Sequence, residues 1–87
     1  MDKITKEDIA NKVADLLEEL GIPRSRVSGS KFLMHQETAE SLELDDYDIE
    51  ELFLDIGDKL GVNIPHSIAP NITFENLINY IYAKKPN

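Results

Sequence analysis

The sequence predicts an all-α fold: a small four-helix bundle with three long helices, one short one, and a long loop between the first and second. Two observations carry this. Apolar residues recur at helical spacing in three separate stretches, and each stretch is bracketed by capping and stop signals. Stripes of four or five large apolar side chains can bury one another only by packing together. At 87 residues there is room for one modest core, so residues 1–87 are read as a single domain.

The first helix opens at Thr5, an N-cap with Asp8 three residues on and Ile4 and Ile9 placed as a hydrophobic staple. Asp8 is shorter than the usual Glu, which weakens the reciprocal half of the capping box. Ile9, Val13, Leu16, Leu17 and Leu20 fall within an arc of about 100°, and Gly21 followed by Pro23 ends the run. A helix of roughly 15 residues results. The next stretch, Arg24 to Lys31, is basic and rich in serine and glycine, and reads as loop. The whole connection from Ile22 to about Leu44 is unusually long for a bundle, and Phe32, Leu33 and Met34 are expected to tuck it down.

Asp45 or Asp46 caps the second helix, and Gly61 stops it. Ile49, Leu52, Phe53, Ile56 and Leu60 form its core stripe, again about 100° wide. Asp48, Glu51, Asp55 and Asp58 project from the other side, together with Tyr47 and Leu54, an apolar pair one heptad apart. Tyr47 has a second reading, in which it packs back against the long loop. Gly57 inside this helix costs ~1 kcal/mol against Ala, which suggests close packing against a neighbouring helix or the bundle wall. After Gly61 the chain holds at most one short helical turn, because Pro70 lacks a backbone donor. The third long helix opens at Thr73, with Ile72 and Leu77 as staple. It buries Phe74, Leu77, Ile78, Ile81 and Tyr82 and runs out at Lys84-Lys85-Pro86.

Charge narrows the function. Seventeen acids oppose nine bases, a formal net charge of −8, and ten of those acids lie between Glu37 and Asp58 with no Lys or Arg among them. A nucleic-acid backbone or an anionic membrane surface would repel such a chain, so its partners should present basic surfaces. No apolar run reaches membrane-spanning length, so no membrane insertion is expected. The charged opening Met1–Asp8 lacks the apolar stretch of a secretory signal, and a cytoplasmic monomer is expected. With no cysteine, disulfides, thiolate metal ligation and thiol nucleophilicity are all excluded.

Catalytic and metal patterns find no support. His35 and His66 have no metal-ligand spacing. Asp46-x-Asp48-x-Glu50 opens like a calcium loop but has Glu51 where glycine is required and Gly57 where the bidentate glutamate belongs. The four glycines, at 21, 29, 57 and 61, form no phosphate-cradling loop. A non-enzyme with no catalytic and no metal residues is therefore expected.

The segment Glu40-Ser41-Leu42-Glu43-Leu44-Asp45-Asp46-Tyr47-Asp48, followed by Ile49-Glu50-Glu51-Leu52, resembles the attachment region of acyl carrier proteins. Their E-D-L-G-x-D-S-L-D stretch opens the second helix, and an I-x-I-P exit follows. Asp45, Asp48, Glu51, Leu52, Val62, Ile64 and Pro65 stand at matching places without a gap, and Ile72-Thr73 and Leu77-Ile78-Asn79-Tyr80-Ile81 look like the family's last helix. The resemblance covers Glu40 to Tyr82 and, more loosely, the first helix; the loop from Ile22 to Leu44 is longer than usual. It implies a carrier-type bundle of fatty-acid, polyketide or lipid-related metabolism whose second helix docks partner enzymes, a role that falls on Tyr47, Asp48, Glu51, Leu54 and Asp55.

One departure outweighs the matches. The serine that would carry 4′-phosphopantetheine is Asp46 in this register. A carboxylate is a poor substitute for the attacking hydroxyl, because an acyl phosphate product hydrolyses readily. No cofactor is therefore expected. Asp46 reads instead as an N-cap, worth ~1 kcal/mol, and as a fixed negative charge where relatives hold a phosphodiester. The fallback is Ser41, which would make the chain a working carrier. Reaching it shifts the register from 46 to 41, sets Asp45 and Tyr47 at apolar positions of the family, and requires an insertion before Pro65. A helical interaction module unrelated to carriers is the reading from another class.

Overall fold

The computed structural model describes residues 4–85. The stop assigned to Pro86 and the reading of Met1–Lys3 lie outside the described residues. Three α-helices form in the expected order: α1 (Lys6–Glu19), α2 (Asp46–Leu60) and α3 (Phe74–Lys84). Thr5 caps α1 with both halves of the capping box in place: Asp8 N–H donates to Thr5 Oγ1 at 3.1 Å, and Thr5 N–H donates to Asp8 Oδ2 at 3.2 Å. The short aspartate therefore does close the box. Thr73 caps α3, its hydroxyl accepting from Asn76 N–H at 3.2 Å. Gly21 and Gly61 take left-handed φ values of 96° and 72° just past α1 and α2, a conformation glycine adopts without penalty.

The core is one cluster drawn from every part of the chain. Ile9, Val13 and Leu17 of α1, Leu52 and Ile56 of α2, and Leu77 and Ile81 of α3 are fully buried. α1 packs against both other helices. The radius of gyration, 12.2 Å, matches the ~12 Å of a compact chain of this length. Tyr82 departs from expectation: it lies 40% exposed at the edge of the α3 stripe, with Lys6 Nζ 5.4 Å from its ring centroid. That cation–π contact ties the start of α1 to the end of α3. Lys85 does more than meet its own helix dipole, because its Nζ donates to the Leu60 carbonyl at 2.8 Å and caps the end of α2.

The connections are more ordered than expected. Arg24–Arg26, inside the stretch read as loop, forms a 3₁₀ turn. Arg24 holds it to α1, donating to the Asn11 carbonyl at 3.1 Å and pairing with Asp15 and Glu18. The link between α2 and α3 contains a six-residue 3₁₀ helix, His66–Asn71, rather than one short turn. Pro70 is tolerated within it because a short 3₁₀ piece asks for few backbone donors.

The long loop is anchored at its middle. Leu33 is fully buried, Met34 packs against the core from a half-buried position, and Phe32 stays outside the core cluster. Backbone bonds do the rest. Leu33 N–H donates to the Ile72 carbonyl at 3.1 Å, Leu42 N–H to that of Phe32 at 2.8 Å, and Leu44 N–H to that of Leu33 at 3.0 Å. The carbonyls of Lys31 and Gly29 accept from Phe74 and Glu75 N–H at 2.8 and 3.0 Å. Donors that a helix start normally leaves orphaned are thus satisfied by the loop.

Candidate functional site

The loop delivers the chain to α2 through a sharp turn at Glu43. Leu42 and Leu44 are buried at 1% and 3% exposure, so Glu43 between them is forced outward, with a φ of 59°. A non-glycine residue in this left-handed region is strained unless neighbours hold it there. Ser41 and His35 supply the hold. Ser41 Oγ donates to Glu43 Oε2 at 2.6 Å and accepts from Glu43 N–H at 3.3 Å, while His35 Nδ1 lies 3.1 Å from the same carboxylate. The Ser41 hydroxyl, and secondarily His35, lower the Glu43 pKa from its ordinary value.

Two residues later the helix starts, and its cap is Asp45. Its side chain accepts from Asp48 N–H at 2.9 Å, and Asp48 Oδ2 accepts from Asp45 N–H at 3.3 Å, a reciprocal box made of two aspartates. The capping role expected of Asp46 therefore belongs to Asp45. Asp46 is the first helical residue, exposed, its carboxylate at the positive end of the helix dipole.

From here α2 presents its acidic side. Tyr47 is 83% and Leu54 64% exposed, so Tyr47 does not pack back against the loop. Glu51 and Asp58 stand beside them in solvent. Asp48 and Asp55 are half-buried on the far flank, and Asp48 is already engaged by the cap. The outward surface is therefore centred on Tyr47, Glu51 and Leu54. Ser41 is 9% exposed, its hydroxyl given to Glu43 rather than to solvent.

A groove lies on the opposite flank of α2. Next to Asp46 it has a volume of about 240 Å³ between Met34, Tyr47, Glu50, His66 and Pro70. The His66 ring is tilted 40° against Phe53 at 5.6 Å between centroids. Sequence alone gives Glu50 and His66 no site role, since Glu50 is one of ten clustered acids and His66 has no ligand at metal spacing; the fold brings both to one groove. Gly57 does not pack on a neighbouring helix as expected. A Cβ there would meet only Asn63 Oδ1 at 3.6 Å and the Val62 carbonyl at 3.8 Å, ordinary contacts with the chain just past α2.

No protein-family model matches this chain, and no curated protein matches it.

Two parts of this arrangement differ in what they offer. Glu43 stands between Ser41 and His35, so the imidazole does not reach the serine hydroxyl in the order that nucleophile activation needs. Around Tyr47 and Leu54, by contrast, a small apolar centre is surrounded by carboxylates, the anatomy of a surface that desolvates at its middle and pairs charge at its rim.

Proposed function

We propose that this chain is an acyl-carrier-like domain, of fatty-acid, polyketide or lipid-related metabolism, that docks basic partner proteins through α2 and carries no phosphopantetheine arm. It acts as a cytoplasmic monomer and by recognition rather than by chemistry of its own. The observation that carries the reading is Asp46: a carboxylate in the exposed first position of α2, directly after the capping residue, where relatives in the proposed register hold the attachment serine. The anionic side chain gives partners a constitutive negative charge at that point. Tyr47, Glu51 and Leu54 add the docking centre, with Asp48 and Asp55 on its flank.

Incubation with coenzyme A and a broad-specificity phosphopantetheinyl transferase, read by intact mass, tests the unloaded state. The expected result is no gain for the native chain and a pantetheine-sized gain for Asp46→Ser. A gain on the native chain mapped to Ser41 would overturn it and make the chain a working carrier. The docking half is tested by Glu51→Lys with Asp55→Lys, which should abolish binding to a basic partner while leaving folding within ~0.5 kcal/mol per site. Loss of docking together with an Asp46→Ser chain that stays unloaded would favour a helical interaction module without carrier ancestry.

A further inference from the structure

Gly57 lies well inside α2, where glycine is among the least favourable residues, yet no packing contact requires it. Its φ is not left-handed, and a Cβ there would sit at ordinary contact distance from its neighbours. With no side chain of its own, Gly57 stands at the border of a groove. Between α2 and the chain that follows it, a volume of about 380 Å³ is bordered by Glu50, Leu54, Gly57, Asp58 and Asn63. It shares Glu50 and His66 with the groove beside Asp46. At 1.5 Å per residue the distance along α2 from Asp46 to Gly57 is about 16 Å, enough for three turns of a docked helix.

The composition of this groove selects its occupant. Phe53, Ile64 and Met34 give it an apolar floor, Asp46, Glu50 and Asp58 an anionic rim, and no Lys or Arg borders it among the described residues. An apolar segment without charge would leave three carboxylates to be desolvated unpaired, and an acidic one would be repelled. We propose that the groove along the Asp46–Gly57 flank of α2 docks an amphipathic helical segment of a partner protein, with large apolar side chains on one face and lysine or arginine along its edge. Gly57 is where that segment comes closest to the α2 backbone. The inference rests on the docking reading above and extends it from the outward face of α2 to the groove beside it.

The probe is a fluorescent peptide of about 14 residues with leucines at helical spacing and lysines on both flanks, compared with a peptide of identical composition in scrambled order. Gly57→Met fills the groove floor and replaces glycine with a better helix former. The expected result is a loss of at least about tenfold in affinity for the ordered peptide, an unchanged or higher Tm, and no change for the scrambled peptide. Binding of the ordered peptide within about twofold of the native chain, or equal binding of both peptides by the native chain, would overturn the proposal. If Gly57→Met does not fold, amide shifts of the native chain on adding the ordered peptide decide. Shifts at Gly57, Asn63 and His66 support the groove, and shifts confined to Glu51 and Asp55 overturn it. Glu51→Lys with Asp55→Lys, run in parallel, separates the two ideas: loss in that variant but not in Gly57→Met leaves outward docking standing and removes the groove, and the reverse pattern does the opposite.

Discussion

At the scale of single residues, two aspartates side by side do different work. Asp45 accepts the Asp48 amide at 2.9 Å and closes the start of α2, whereas Asp46 is free in solvent. Asp45→Ala should therefore cost ~1 kcal/mol, and Asp46→Ala less than ~0.5 kcal/mol, measured by urea unfolding. Equal losses would return the cap to Asp46. Glu43 sets a pH dependence. Its folded pKa is lowered, chiefly by the Ser41 hydroxyl. The stability it contributes is therefore present above its unfolded pKa and lost as pH falls through the folded one. Native chain and Glu43→Gln should differ in urea midpoint at neutral pH and converge on acidification through the carboxylate range. Ser41→Ala should flatten the native profile more than His35→Ala, in keeping with the order of the two causes.

At the scale of elements, the helices follow from local chemistry and the loop from tertiary contact. α1 and α3 begin after the capping threonines whose position the sequence marks, and α2 ends at its marked glycine. The apolar stripes point where their periodicity places them, Tyr82 excepted, because its position at the edge of the stripe brings it to Lys6 rather than into the core. The loop is different. Leu33, fully buried at its middle, sits among backbone bonds that reach both the approach to α2 and the start of α3. Leu33→Ala should cost roughly 2–5 kcal/mol, a large share of the stability of so small a domain. Urea unfolding should show the midpoint falling steeply. A loss under ~1 kcal/mol would mean that the backbone bonds alone hold the loop.

At the scale of the whole molecule, the dominant fact is a net charge of −8 with its acids crowded into one quarter of the chain. The ion pairs that oppose this repulsion among the described residues, Arg24 with Asp15 and Glu18, are substantially exposed and worth little. Screening should therefore help more than it harms. Raising NaCl from about 10 mM to about 500 mM shortens the screening length several-fold and is expected to raise Tm; a fall would show that the pairs outweigh the repulsion. The same crowding should make association with a cationic partner fast at low salt and slow at high salt, measurable by stopped-flow against the lysine-flanked peptide.

The number and order of the three long helices, the threonine caps of α1 and α3, the glycine stop of α2 and most of the buried faces were legible in the sequence, because each depends on residues within a turn or two of one another: Thr5 with Asp8, Gly61 after Leu60, Leu77 four residues beyond Thr73. The acidic character of α2 and the outward direction of Tyr47 and Leu54 were legible for the same reason. Only the folded chain decided that Glu43 turns left-handed between two buried leucines, that Lys85 closes the end of α2, that the long loop satisfies the first amides of α3, and that Gly57 borders a groove. Those features join residues far apart in sequence, or depend on which side of a chain the core lies, and no local periodicity encodes either.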